Sequence, residues 1–177
     1  WDVRTETQVA SAESSGDAVR LHLSDGSTVE ADLLLVATGR VPNADRMNVA
    51  AAGIEVHPDG RVIVDAFGRT SAAQVWSLGD VSSEHQLKHV ANHEARVVAH
   101  NLAHPEDLIE SDHRFVPSAV FTHPQLATVG LTEEQAIASG RPFVTAVQAY
   151  GGTAFGWAME DTTSICKVLA DPTSGQL

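Results

Sequence analysis

Val75-Trp76-Ser77-Leu78 runs directly into Gly79 and Asp80, a short apolar stretch closed by a residue without a Cβ and then by an acid. In open α/β sheets ligands bind just beyond the carboxyl ends of the strands, where a carboxylate can accept hydrogen bonds from sugar or polyol hydroxyls. A glycine at that point lets a ligand approach the backbone closely. The pair suits a dinucleotide-type ligand. Gly-Asp after a strand is also ordinary turn chemistry, and only the rest of the chain separates the two readings.

Histidines form a second pattern. His85, His89 and His93 follow one another at i, i+4 and i+8, and His100 and His104 repeat the spacing. On a helix such imidazoles share a face, which is a geometry that holds metals. No carboxylate or cysteine set accompanies them, so solvated or capping histidines are the stronger reading and no metal site is assigned. His123-Pro124 reads as the exit of a strand rather than a catalytic histidine, because proline holds the preceding residue extended. Cys166 is the single cysteine, which excludes an internal disulfide or a two-cysteine redox centre within these residues. Its setting, Ile165-Cys166-Lys167-Val168-Leu169, alternates weakly like a strand and predicts a buried structural thiol.

The elements that must carry these residues follow from local patterns. Ala18–Leu23 and Thr28–Ala31 flank an Asp25-Gly26 turn and predict a β-hairpin. Leu33–Ala37 is a continuous apolar run, the pattern of a strand buried on both faces. It ends at Thr38-Gly39-Arg40-Val41-Pro42-Asn43, where glycine and proline turn the chain out of the sheet and mark a domain junction. A weak helix over Asp45–Ala52 stops at Gly53. Ile54–Val56 and Val62–Val64 around Pro58-Asp59-Gly60 predict a second hairpin, and Gln74–Leu78 a strand. From Leu87 to Leu102 the apolar residues Val90, Val97, Val98 and Leu102 fall at helical spacing, and Pro105 ends that helix. Beyond a compositional shift, Val116–Phe121 begins a new unit with a strand. Thr132-Glu133-Glu134-Gln135 opens a helix that runs to Ser139-Gly140, and Phe143–Val147 and Ser164–Leu169 are further strands.

The chain has 177 residues, 43% of them hydrophobic, which is the composition of a folded soluble protein with one large or two small domains. A formal charge of −12 opposes phosphate backbones and anionic lipid, so neither nucleic acid nor membrane is a partner. No apolar run approaches a membrane span and the start is not a signal peptide, so the chain reads as cytoplasmic. Without an initiator Met or a closing element, it reads as an excised piece.

Gly39 and Gly79, each closing an apolar run with a hairpin between them, combine with Gly39-Arg40-Val41-Pro42-Asn43 into a pattern neither carries alone. This resembles the flavoprotein disulfide reductases, the family of glutathione reductase and lipoamide dehydrogenase. There a glycine turn closes the nicotinamide-nucleotide domain and a Gly-Asp ends the last strand of the FAD domain. Val120-Phe121-Thr122-His123-Pro124 and Val129-Gly130-Leu131-Thr132-Glu133 resemble the start of the family's dimerisation domain. The resemblance is collinear over nearly the whole chain. Within the family, Tyr150-Gly151, Phe155–Asp161 and Leu87–Arg96 resemble the members that reduce a low-molecular-weight disulfide. Mercuric reductases and lipoamide dehydrogenases share the scaffold, and a quinone-reducing flavoprotein or a non-enzymatic dimerisation module remain as alternatives.

The resemblance implies an α/β fold built from parts of two Rossmann-like domains and the first part of an α+β dimerisation domain. Residues 1–44 would close the NAD(P)-binding domain, 45–115 would be the second FAD-binding segment, and 116–177 would begin the dimerisation domain of a homodimer. It implies FAD and NAD(P)H as cofactors, with NADPH favoured. Gly39, Arg40, Gly79, Asp80, Leu87, Lys88 and His89 would be the cofactor-binding residues. Asp80 would bond the ribityl chain, Arg40 would lie near the pyrophosphate, and the first amides of the helix, around Lys88 and His89, would point at the flavin C2 carbonyl. Trp157 and Phe155 would be packing or interface anchors. The Gly-x-Gly-x-x-Gly turns, the Cys-x-x-x-x-Cys redox pair and the general acid/base histidine would lie outside these residues. No catalytic residue is therefore assigned here, and the piece alone is expected to be inactive.

Overall fold

The computed structural model describes residues 1–177, which divide into two compact units, Trp1–Val41 and Pro42–Leu177. In the first, β1 (Val9–Ser15), β2 (Ala18–Leu23) and β3 (Thr28–Ala31) form an antiparallel meander in the order β1-β2-β3. The hairpin expected around Asp25-Gly26 is present, with Val19 opposite Ala31 and His22 opposite Thr28. Its turn is fixed by Asp25, whose carboxylate accepts the Ser27 amide at 2.8 Å and the Ser27 hydroxyl at 2.6 Å. Those bonds hold the Asp25 carboxyl below its ordinary range. Arg20 stands directly opposite Glu13 on one side and Glu30 on the other, and pairs with both at 3.5 and 3.0 Å. Opposite charges at facing positions are the sheet's own register device.

Leu33–Ala37 departs from expectation. It forms no strand, and Leu33 is 84% exposed. An apolar run becomes a buried strand only where neighbouring strands take up its amides and carbonyls, and no segment of this unit pairs with it.

The second unit opens with two 3-10 turns, Asn43–Met47 and Val49–Ala52, where one weak helix was expected. Asn48 breaks the run with φ of 51°, and Gly53, also left-handed, closes it by donating its amide to the Ala50 carbonyl at 3.0 Å. The predicted second hairpin is reduced to a single bridge between Val56 and Val62. Gln74–Leu78 is likewise no strand: it touches its neighbour at one bridge, Arg69 to Trp76, and Gln74 has a left-handed φ of 64°. Two main-chain bonds flank that bridge, the Thr70 amide to the Val75 carbonyl and the Ser77 amide to the Gly68 carbonyl, each at 3.0 Å. The turn before it is centred on Asp65, which accepts the Phe67 and Arg69 amides at 3.0 and 2.9 Å and the Arg69 guanidinium at 2.7 Å. Burial works to raise the Asp65 carboxyl, but these bonds outweigh it and hold the group below its ordinary range.

Helix α1 (Lys88–Ala103) is the long element of this unit and matches the predicted span closely. Its buried residues are Val90, Glu94, Val97, Val98 and Asn101, one stripe at helical spacing. Leu102, expected on that stripe, is 59% exposed; its place inside is taken by Asn101. A Cβ on Gly68 would sit 2.7 Å from Val98 Cγ2, so glycine is what lets the Asp65 turn close onto the helix. Asn101 then straps the far end: its amide nitrogen donates to the Phe67 and Ile109 carbonyls at 3.0 and 2.9 Å, and its oxygen accepts the Ile109 amide at 2.8 Å.

Further along, β4 (Ser118–Val120) pairs antiparallel with β5 (Leu126–Thr128), and β6 (Val144–Ala149) with β7 (Ile165–Ala170). Between the pairs lies α2 (Glu133–Ser139), which starts on the predicted capping box. The Thr132 hydroxyl accepts the Gln135 amide, and the Gln135 side chain accepts the Thr132 amide. Lys167 of β7 pairs with Glu133 of α2. A short helix, α3 (Ala154–Ala158), which the sequence reading missed, connects β6 to β7. Cys166, expected to be buried, is exposed opposite Gln148, because a two-stranded ribbon without a covering layer leaves both faces open. Trp157 is 78% exposed and Phe155 packs edge-on against Tyr150. No helix of the chain is long and apolar enough to cross a membrane.

The Asn101 strap predicts a specific cost. Asn101→Ala should lower stability by about 1–3 kcal/mol, because it removes the side-chain partner of three main-chain groups, the Phe67 carbonyl and the Ile109 amide and carbonyl. Urea unfolding reads this directly, and an unchanged midpoint would show that the strap carries no load.

Candidate functional site

The chain reaches the Gly-Asp pair fully extended, with Leu78 at φ −155° and ψ 165°, and turns sharply at Gly79. Gly79 is buried with a left-handed φ of 73°, a conformation costly for any side-chain-bearing residue. Gly79, Asp80 and Val81 form one 3-10 turn, and the Gly79 carbonyl accepts the amides of Ser82 at 2.9 Å and Ser83 at 2.7 Å. A Cβ at Gly79 would lie 3.4 Å from the Ala91 Cβ, so the turn rests against the first part of α1. Asp80 follows as an exposed acid, and no group of the chain bonds its carboxylate. The motif therefore delivers one free carboxylate from a pinned turn.

Helix α1 supplies the other polar feature. Leu87 occupies the N-cap in an extended conformation, with no side-chain cap and no acid in the first turn. The first amides of a helix have no intrahelical acceptors and carry about half a positive charge. Those of Lys88 and His89 thus stay available to an outside acceptor. The His89 ring is engaged elsewhere, its Nε2 lying 2.8 Å from the Pro117 carbonyl oxygen. Other histidines of the spaced series are also taken up locally. The His100 and His104 rings bond the carbonyls of Asp107 and His100 at 2.8 and 3.1 Å, and His93 Nε2 accepts the Asp112 amide at 3.2 Å.

One residue of the site escaped the sequence reading. Glu94 lies on the buried stripe of α1, four residues after Val90, with its side chain 9% exposed. One carboxylate oxygen accepts the Gly79 amide at 2.6 Å, and the other lies 3.0 Å from Nε2 of His113. The signal was present: an acid standing where the helical period demands an inward-facing residue. Glu94 and His113 also line a cavity of about 340 Å³, together with Arg61, Ser83 and His85. Ser83 places a buried hydroxyl there without a partner.

Gly79, Asp80, Leu87, Lys88 and His89 all belong to the second unit, where the turn of the first two packs on the helix of the last two. Gly39 and Arg40 belong to the first unit. Gly39 has a left-handed φ of 103° with open space around it, and Arg40 is exposed.

Comparison with known proteins gives a consistent result. The family profile described as Pyridine nucleotide-disulphide oxidoreductase matches residues 2–95, and that of the same family's dimerisation domain matches residues 116–177. Mycothione reductase of Mycobacterium tuberculosis is 55% identical over 181 aligned residues, covering 100% of this chain and 39% of that protein. Among solved structures, LpdA from Mycobacterium tuberculosis superposes with a TM-score of 0.83 at 27% identity, over 96% of this chain and 37% of that one. The HOCl-induced flavoprotein disulfide reductase RclA from Escherichia coli gives 0.79 at 29% identity, over 93% and 38%. The chain thus spans about two fifths of the length of the curated relative it matches.

The left-handed turn makes a prediction of its own. Gly79→Ala should cost about 1–2 kcal/mol in backbone strain alone. Thermal melting detects it, and an unaltered melting temperature would mean that the turn relaxes freely.

Proposed function

The chain belongs to the pyridine nucleotide-disulphide oxidoreductases, and on that premise we propose that it is part of an FAD-dependent NAD(P)H:disulfide oxidoreductase that reduces mycothione, the disulfide of mycothiol. The observation that carries the reading is 55% identity along the whole chain to a mycothione reductase. We assign residues 1–44 to the end of the NAD(P)-binding domain, 45–115 to the second FAD segment and 116–177 to the start of the dimerisation domain. The whole protein would be a cytoplasmic homodimer that uses NADPH, with its redox cysteine pair and general acid/base histidine outside this chain. Exposed Phe121 and Trp157, on the part matched by the dimerisation profile, support an interface there.

The residues fit FAD on their own chemistry. Asp80 offers a free acceptor immediately after a buried glycine, and α1 offers uncapped donors beside the same turn. Bound there, FAD would supply two-electron redox chemistry between a nicotinamide and a thiol–disulfide pair. Asp80 would accept a hydrogen bond from a ribityl hydroxyl, a charge-assisted bond of roughly 1.5–3 kcal/mol where water is excluded. Arg40 would set a permanent positive charge against the pyrophosphate. The amides of Lys88 and His89 would donate to the flavin C2 carbonyl, where negative charge gathers on reduction. The helix N-terminus would so favour the reduced form, and with it hydride acceptance. Leu87, as N-cap, leaves those donors uncovered because its side chain accepts nothing.

Two measurements on the full-length protein test the reading. With NADPH and a panel of mycothione, glutathione disulfide, lipoamide, quinones and mercuric ion, mycothione should have the highest kcat/KM; a different leading substrate would overturn the assignment. Asp80→Ala should weaken FAD binding by about 10- to 100-fold. Unchanged affinity would remove Asp80 from the flavin site.

A further inference from the structure

We propose that Glu94 is the positioning residue of the flavin site: its buried carboxylate, by holding the Gly79 amide, aims Asp80 at the ribityl chain. The proposal rests on the reading of Asp80 as a flavin ligand. Glu94 itself would touch no cofactor.

The first argument is the cost of burial. An ionised carboxylate inside a protein is unfavourable unless both oxygens are satisfied, and an apolar residue of similar size would commonly serve packing as well or better. The other inward positions of α1 carry Val90, Val97, Val98 and the strapping Asn101. Glu94 alone brings a carboxylate to that stripe, and its bond to Gly79, at 2.6 Å, is in the short range of charge-assisted contacts.

The second argument is which amide it bonds. Glycine in a left-handed turn has wide backbone freedom, so a Gly-Asp pair by itself does not fix where the acid points. Here both peptide planes around Gly79 are held. Glu94 fixes the Leu78–Gly79 plane through the amide, while the amides of Ser82 and Ser83 fix the Gly79–Asp80 plane through the carbonyl. The backbone is thereby set up to Asp80, whose own side-chain rotation is the freedom left.

The third argument is the element Glu94 sits on. Its helix is the one whose first amides, at Lys88 and His89, would donate to the flavin ring. Tying the Asp80 turn to that helix fixes the spacing between the ribityl acceptor and the ring donors through one rigid body. His113 Nε2 lies 3.0 Å from the second oxygen and gives it a polar neighbour.

A double-mutant cycle in the full-length flavoprotein tests this, with FAD dissociation constants read from the recovery of free flavin fluorescence. Glu94→Ala should weaken FAD by about 10-fold in the wild-type background and by less than about 2-fold in the Asp80→Ala background, because its effect passes through Asp80. Glu94→Gln, which keeps an oxygen for the Gly79 amide, should restore part of the affinity, leaving a loss of about 3-fold. If Glu94→Ala does not fold, the cycle is run with Glu94→Gln, for which a loss of about 3-fold that disappears in the Asp80→Ala background is expected. Equal losses in both backgrounds, or no loss in either, would overturn the proposal while leaving Asp80 as a ligand. If Asp80→Ala alone leaves FAD affinity unchanged, the flavin-ligand reading fails and the proposal falls with it.

Discussion

A carboxylate inside the protein, bonded to the amide of Gly79 through one oxygen and with His113 Nε2 3.0 Å from the other, joins the turn that presents Asp80 to the helix beside it. Desolvating such a charge costs several kcal/mol unless polar groups meet it, and here the Gly79 amide bonds one oxygen while His113 Nε2 lies 3.0 Å from the other. The turn, the helix and the segment bearing His113 therefore hold one another in place. Loss of any partner would strand a buried charge rather than simply remove a contact.

Helix α1 can act as that anchor because polar side chains hold it at two heights. Glu94 binds the Gly79 turn above, and Asn101 binds Phe67 and Ile109 below. Between them Val97 and Val98 fill the buried stripe, and Gly68 brings the neighbouring turn against Val98 without a Cβ to block it. A small unit gains orientation from this arrangement as much as stability. The uncapped first turn of the helix is the part left open to an outside acceptor, and it lies on the body that holds Asp80. Under the proposed function, that acid and those amides are the groups that would meet a flavin.

Much of the local structure was legible because its causes are local. The Asp25-Gly26 hairpin, the Thr132–Gln135 capping box and the helical stripe through Val90, Val97 and Val98 each follow from neighbours in sequence. Leu33–Ala37 and Gln74–Leu78 misled for one shared reason: an apolar run states what would be buried, while a strand also needs a partner for its main chain. Cys166 failed on the same ground, since alternation in a ribbon does not say whether anything covers it. At the site, the Gly-Asp motif was readable but the reason for the glycine was not; that lies in a left-handed φ and the nearness of Ala91. Glu94 could have been found from its place in the helical period, four residues after Val90, by asking why an acid stands on the buried face.

Amide hydrogen exchange at Gly79 in the full-length protein tests the central claim most directly, because it reports on the donor that Glu94 holds. If the buried carboxylate fixes the turn, the Gly79 amide should be protected to a degree similar to the amides of Val97 and Val98 in the middle of α1. Exchange as fast as that of an exposed amide such as Glu84 would contradict the account, because the turn bearing Asp80 would then be opening independently of the helix.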